Sequence, residues 1–286
     1  MFSGNKGGSK MKRFWLLLFL TLCLVTSADS ENLKYGIPQE TDVILDRAGF
    51  ALGYSVSHRQ ALWVSYILTA EEVESQEAKR QSHFKTDIEV PGDPVSPKEY
   101  IHSGLDRGHL ASAADMAFSK EAMKNSFLMS NISPQYPGFN RGIWSRLESF
   151  IRKLALRYHT VVVITGPVFT SSPPVLKNNL IIPDAFFKVI YIPTSIPEQM
   201  IGFLLLCRFV AVIQSYLTKE FFSTPISRHL YMVSNKSSNK EIFFFIKTVD
   251  EIENITNMDF FSKLPECKQL LLESKVNLTT FLLEKE

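Results

Sequence analysis

The sequence contains little cysteine. Three cysteines occur among 286 residues, and Cys23 lies in an N-terminal segment that we expect to be removed. Cys207 and Cys267 remain, and one disulfide between them is possible, although sequence alone does not place them within bonding distance. Because no Cys-X-X-Cys pair or His/Cys cluster occurs, a structural zinc site is disfavoured.

An excess of charge of one sign is also lacking. Residues 1–28 contain four basic residues and no acid, so the remainder has 27 of the 31 Lys and Arg residues against 29 Asp and Glu residues. The net charge of the chain without residues 1–28 therefore gives no reason to expect a polyanionic partner. Binding of a nucleic acid would depend on a local cluster of basic side chains.

The N-terminus has the order of a secretory signal peptide. A basic stretch is followed by the apolar run Phe14–Val25 and by small residues up to Ala28, after which we expect cleavage. The apolar run is short for a membrane span, so we predict a secreted or periplasmic protein without stable membrane association. An uncleaved N-terminal membrane anchor is the alternative.

Hydrophobic patterning predicts an α+β protein, since strands outnumber helices and do not alternate with them regularly. Residues 29–286 contain no repeat or long linker and are expected to form one domain. The clearest helix is Asn140–Tyr158, and another begins near Asp250. The predicted strands are two within Gly49–Thr69, then Thr160–Phe169, Ala185–Pro193, Glu198–Leu206 and Ile242–Val249.

The stretch "SGLDRGHLASAADM" combines charged groups with small apolar residues. Arg107 would disfavour a charged His109, and a neutral imidazole suits a general base. The Arg107 guanidinium can bind phosphate, and Asp106 can orient a neighbour by hydrogen bonding. A surface turn with a hydrogen-bonded histidine is the structural alternative.

Asn140 and Glu148 lie at the start of the predicted helix. Asn140 is placed to cap the helix N-terminus, but its amide oxygen is also a suitable ligand for Mg²⁺. Glu148 lies about two turns further along, which favours orienting metal-bound water over sharing the ion directly. The structural alternative for Glu148 is a solvated charge between Arg146 and Arg152.

Several blocks in order carry a family resemblance. "DRGHLASAA", "FLMSNISPQ", "FNRGIWSRLE", "VVVITGPVF" and "IPDAFFKVIYI" resemble the DNA/RNA non-specific endonuclease family, which includes secreted bacterial nucleases and mitochondrial endonuclease G. The resemblance covers roughly Tyr54 to Tyr191. It implies a ββα-metal (His-Me finger) nuclease fold with a central antiparallel sheet flanked by helices.

The resemblance also implies roles for individual residues. Catalysis would use His109 as general base, Arg107 at the phosphate and Glu148 to position a hydrated metal ion. Asn140 would be the protein ligand of one Mg²⁺, with Mn²⁺ as an alternative ion. Arg80, Asn131 and Gln135 would bind substrate, and for Arg80 the spacing to Phe84 departs from the family pattern.

The resulting hypothesis is a secreted, Mg²⁺-dependent endonuclease that hydrolyses DNA and RNA with little sequence specificity and leaves 5′-phosphates. A catalytically silent nucleic-acid-binding module and a small-nucleotide phosphodiesterase are the alternatives, and a homodimer is left open. Residues 206–234 match nothing expected of the family. They represent either a genuine insertion or an error in the gene model.

Overall fold

The computed structural model describes residue 1 and residues 30–176, 179–207 and 239–276. Residues Glu31–Glu286 form one compact unit, separate from Met1–Ser30. The predicted signal peptide and most of segment 206–234 lie outside the described residues. Within the described ranges, no helix has both the length and the apolar character needed to cross a membrane.

A seven-stranded sheet, antiparallel throughout, forms the centre of this unit. The strand order is β1-β2-β3-β6-β7-β8-β9. The bounds are β1 Val43–Arg47, β2 Phe50–Ser55, β3 Gln60–Thr69, β6 Thr160–Val168, β7 Ala185–Ile192, β8 Gln199–Leu206 and β9 Ile246–Lys247. The sheet confirms the predicted fold class and its antiparallel core.

Both faces of the sheet are covered, which explains why its strands are apolar on both sides. Val161 and Val163 of β6 pack in the cluster that contains Phe150 and Leu154. The alternate residue Val162 packs with Ile252 in a second cluster. Because successive side chains of a strand point to opposite faces, one strand contributes to two separate cores.

A two-stranded sheet lies outside the large one. It pairs β4, Asp106–His109, with β5, Ile132–Gln135, in antiparallel register. A helical turn α3 (Pro137–Phe139), a π-helical segment (Asn140–Trp144) and helix α4 (Ser145–Tyr158) follow directly. This ββα unit contains most of the residues predicted to be functional.

The remaining helices are short. They are α1 Ala70–Glu74, α2 Lys120–Ser126, α5 Val249–Thr256 and α6 Glu266–Glu273. Single 3₁₀ segments span Glu31–Leu33, Pro97–Tyr100, Met129–Asn131 and Asn239–Phe245. Thr248 caps α5 through a reciprocal pair of hydrogen bonds with Glu251, which satisfies backbone donors that the first turn leaves free.

Two local predictions were wrong. Asn140 does not cap a helix, because its backbone is itself helical and the helical path already begins at Pro137, after Tyr136. The expected strand Ile242–Val249 is mostly a 3₁₀ segment, and only Ile246 and Lys247 pair with β8. Apolar residues in a short run do not distinguish a buried strand from a buried helical turn.

The two remaining cysteines are both free. Cys207 is buried and Cys267 is exposed, so the disulfide left open by the sequence does not form. Burial raises the pKa of the Cys207 thiol, and Asp184 adds to the effect. The thiol therefore remains protonated and unreactive at neutral pH.

Candidate active site

The side chain of His109 is enclosed by two aromatic rings. It lies at the end of β4 and is 7% exposed. The ring centroids of Phe84 and Phe127 are 5.4 and 4.9 Å from that of the imidazole. Its Nε2 atom is buried and has no hydrogen-bond partner among the described residues. No described group of the protein therefore occupies the hydrogen-bonding position of this nitrogen.

Burial and, as the smaller cause, the positive charge of Arg80 together lower the pKa of His109 from 6.5 to about 3. Charging the imidazole would require transferring a cation out of water. The ring is therefore neutral at physiological pH, as the sequence suggested. The arginine that contributes is Arg80, whereas the sequence pointed to Arg107.

Two arginines lie close to the same aromatic rings. The guanidinium of Arg107 is 4.8 Å from the ring centroid of Phe84, and that of Arg80 is 5.4 Å from the ring centroid of Phe127. Both arginines are exposed, and stacking on aromatic rings restricts their movement. Two cations thus flank the imidazole while keeping donors available to an anion.

The amide of Asn140 is held by Asp106. Asn140 Nδ2 donates to Asp106 Oδ2 at 2.9 Å, and Arg141 donates twice to the same carboxylate, at 2.8 and 2.6 Å. Partial burial opposes ionisation of Asp106, but the hydrogen bonds from Arg141 and Asn140 keep its pKa below the usual value. With its nitrogen engaged, Asn140 has its carbonyl oxygen as the atom available to a cation.

Asn131 and Gln135 are fully buried, so the structure does not support direct substrate contact by either. The Asn131 amide exchanges hydrogen bonds with both backbone groups of Ala111 and donates to the carbonyl of Ser126. It therefore fixes the chain just after His109. The Gln135 side chain packs against Gly108, where a Cβ atom would collide with it.

Glu148 contacts the loop that follows His109. Its carboxylate is hydrogen-bonded to Ser112, and its pKa is raised by burial even though Lys188 and Arg152 oppose the effect. The structure does not support a fully solvated charge at this position, because Glu148 is only partly exposed. It shares a buried charged environment with Lys188 of β7 and Asp115.

This network of charges joins four elements. The Lys188 ammonium donates to Leu110 O at 3.2 Å and to Thr165 Oγ1 at 3.3 Å, and lies 4.3 Å from the ring centroid of Trp144. Asp115 accepts from Tyr66 Oη at 2.9 Å and from Arg152 Nη1 at 2.7 Å. The charges balance inside the core, which makes their burial tolerable.

The residues around Asn140 fit a metal ion that keeps most of its water. Among the described residues, no group of three or more His, Cys, Asp or Glu side chains converges there. The Asn140 amide oxygen, with the Glu148 carboxylate further along the same helical path, offers few protein ligands. Mg²⁺ accepts such a site because it gives up its bound water reluctantly.

Sequence patterns missed several residues of the site. Nothing in the chain near Phe127 indicates that it packs on a histidine eighteen residues earlier. Lys188 did give a signal, since a lysine interrupts the otherwise apolar strand "AFFKVIYI". A charge in a doubly covered strand has to be neutralised, and that requirement identifies it as a member of a polar network.

The family model described as DNA/RNA non-specific endonuclease matches residues 28–266 of this chain. That range includes every residue of the site described above. The ββα unit, the aromatic rings on His109 and the Asp106–Asn140 contact all fall inside the matched region.

Individual curated proteins agree with the family match. A nuclease of Syncephalastrum racemosum is 36% identical over 63% of this chain and 62% of its own length. Nuclease C1 of Cunninghamella echinulata var. echinulata is 32% identical over 83% of this chain and 90% of its own length. Human mitochondrial endonuclease G is 34% identical over 58% of this chain, which spans 59% of that protein.

A solved structure resembles the whole fold. A chain in the crystal structure of the EndoG/EndoGI complex superimposes with a TM-score of 0.67 and 25% identity, covering 82% of this chain and 92% of that chain. The likeness extends well beyond the ββα unit. It supports the assignment of most of the chain to one fold.

The buried imidazole predicts a specific pH dependence of stability. The unfolded chain protonates His109 near pH 6.5, whereas the folded protein does so only near pH 3. The folded state therefore binds fewer protons, and its stability falls as pH decreases below 6.5. When the pH is lowered from 7 to 5, the free energy of unfolding measured in urea should fall by about 2 kcal/mol more for wild type than for His109→Gln. Between pH 7 and pH 8 the two proteins should change in parallel. Equal losses on acidification would contradict the burial of a neutral imidazole.

Removal of the buried ammonium should destabilise the fold. In Lys188→Met, Glu148 and Asp115 lose a compensating positive charge, so we expect the free energy of unfolding to fall by about 3 kcal/mol. The matched control is Lys153→Met, which changes an exposed lysine of α4 and should alter stability by less than about 0.5 kcal/mol. Equal effects of the two substitutions in chemical denaturation would refute the network.

Proposed function

Because the chain belongs to the DNA/RNA non-specific endonuclease family, we propose that it hydrolyses phosphodiester bonds of DNA and RNA with His109 as general base. The observation that carries the proposal is the unpartnered Nε2 of a buried, neutral imidazole. A histidine whose only purpose is packing would have both ring nitrogens paired or solvated. The relatives named as nucleases support the same activity.

His109 accepts a proton from the attacking water as oxygen bonds to phosphorus. The P–O3′ bond then breaks, the 3′ oxygen takes a proton from solvent, and the product keeps a 5′-phosphate. Protonating an imidazole with a pKa of about 3 is easier once a phosphodiester is bound, because the anion stabilises the imidazolium and offsets the charge of Arg80. Binding of the substrate thus raises the basicity of His109.

Arg107 and Arg80 provide the anion-binding groups. Each guanidinium lies over a phenylalanine ring, and each arginine is exposed, so its donors are accessible to an anion. Donors held in place before the reaction stabilise the additional negative charge of the transition state. Since phosphate contacts contain no base information, this arrangement supports cleavage with little sequence preference.

We assign Asn140 as the protein ligand of a Mg²⁺ ion and Glu148 as the residue that orients its water, with Mn²⁺ as the alternative ion. A bound Mg²⁺ would supply Lewis-acid stabilisation of charge on the phosphoryl oxygens. Asp106 accepts a hydrogen bond from the Asn140 amide. This bond restricts rotation of the amide and leaves its carbonyl oxygen available to the metal ion. Asn131 and Gln135 position the loop and strand around His109.

The decisive experiment is digestion of supercoiled plasmid and of RNA by wild type and His109→Gln. Wild type should cleave both with Mg²⁺ and neither with EDTA, and His109→Gln should be about 10³-fold slower. The control is His102→Gln, an exposed histidine, which should retain activity. Binding of DNA without cleavage would favour the silent module, and cleavage of dinucleotides alone would favour the small-nucleotide phosphodiesterase.

We propose export of the mature protein on the strength of the basic and apolar order of residues 1–28. Removal of this segment would leave a slightly acidic chain that depends on Arg80 and Arg107 to attract a polyanion. Mass determination of the protein purified from the culture medium should give an N-terminus at Asp29. Intact residues 1–28 on a membrane-bound product would favour the anchored alternative.

A further inference from the structure

The C-terminal helices lie on the side of the sheet away from α4. Val249 and Ile252 of α5 pack in the second core cluster, whereas the α4 residues Phe150 and Leu154 belong to the first. The sheet therefore separates α5 and α6 from the candidate active site. Anything bound between these two helices acts independently of the phosphodiester chemistry.

Three carboxylates from α5 and α6 converge on this side. One oxygen each of Asp250, Glu253 and Glu273 lies within 4.8 Å of the other two. Asp250 and Glu253 are three residues apart on α5, so they share a face of that helix. Glu273 is the last residue of α6. The cluster thus joins two elements that are separate in sequence.

Glu273 gives the second, independent observation. It is 5% exposed, and its Oε1 atom is buried with no hydrogen-bond partner among the described residues. The charged groups that act on it are Glu253, Asp250 and Asp259, all of them acids, and together with burial they raise its pKa to about 8. A buried glutamate that faces only acids therefore keeps its proton at neutral pH unless a cation accompanies it.

The donors suit calcium. Ca²⁺ binds carboxylate and carbonyl oxygens at about 2.3–2.6 Å in flexible geometry, so oxygens up to about 5 Å apart fit around one ion. Glu253 uses one oxygen to accept from Phe260 N at 2.7 Å, which leaves the other for a ligand. A cleft of about 600 Å³ adjoins the cluster and is lined by Asn254, Asn257 and Asp259, which gives room for water ligands.

We propose that Asp250, Glu253 and Glu273 bind a Ca²⁺ ion that joins α5 to α6 and stabilises the fold without taking part in cleavage. The ion neutralises three carboxylates that have no cationic partner in the cluster. It holds α6 against the sheet at the end of the described chain. No feature of the proposed nuclease mechanism depends on it.

Thermal unfolding with and without Ca²⁺ tests the proposal. EDTA-treated, dialysed full-length protein is heated with increasing CaCl₂. Wild type should gain about 5 °C when Ca²⁺ exceeds its dissociation constant a hundredfold. Glu273→Gln should unfold cooperatively but gain no more than about 1 °C. The control Glu266→Gln, an exposed acid at the start of the same helix, should behave like wild type. Asp250→Asn is a second variant that should lose the shift if Glu273→Gln does not fold.

An ion at the candidate active site is distinguished by Asn140→Ala. If the Ca²⁺ shift persists in that variant and Mg²⁺-dependent cleavage is unchanged in Glu273→Gln, the ion binds at the C-terminal helices. A shift that disappears with Asn140→Ala, an equal shift in Glu273→Gln and wild type, or no shift in wild type would overturn the proposal. The thermal shifts do not depend on whether the protein cleaves nucleic acid, so this proposal can fail or hold independently of the proposed function.

Discussion

Burial of the Lys188 ammonium is the constraint on which the site depends. A charge in the centre of a sheet covered on both faces requires acceptors, and it finds them in Leu110 O and Thr165 Oγ1. Leu110 directly follows His109, and the acids Glu148 and Asp115 balance the charge. The neutralisation of one lysine thereby fixes the loop after the imidazole relative to α4 and the large sheet.

The aromatic and cationic groups around His109 are a second structural feature, built next to the loop that the Lys188 network fixes. Phe84 and Phe127 pack on the imidazole and help to exclude water from it, and the same two rings contact Arg107 and Arg80. Water exclusion keeps the histidine unprotonated, and the arginines supply anion affinity at the same place. A neutral base and a positive potential are compatible here, because the charge of Arg80 disfavours protonation of His109 in the same direction as burial does.

Much of this organisation was predictable from local patterns, and the exceptions have physical causes. Strands β2, β3 and β6 to β8 and helix α4 follow from the hydrophobic pattern, and the family resemblance implied that His109, Asn140 and Glu148 belong to one unit. The pairing of Phe127 with His109 depends on the fold of the intervening loop, which no local pattern encodes. For Asn140 the sequence allowed a helix cap as the alternative to a metal ligand, and the cap does not form because the helical path starts earlier, at the proline of α3.

The hydrogen bond between Asn140 and Asp106 determines the chemical type of side chain that position 140 can contain. Of the two ends of the amide only the NH₂ group can donate to the Asp106 carboxylate, so the bond sets the carbonyl oxygen as the end that turns away from it. An aspartate at 140 would instead place two anions about 3 Å apart, and one of them would have to take up a proton or rotate away. A neutral amide at position 140 is therefore favoured by the negative charge of Asp106 on the neighbouring strand β4, independently of any bound ion.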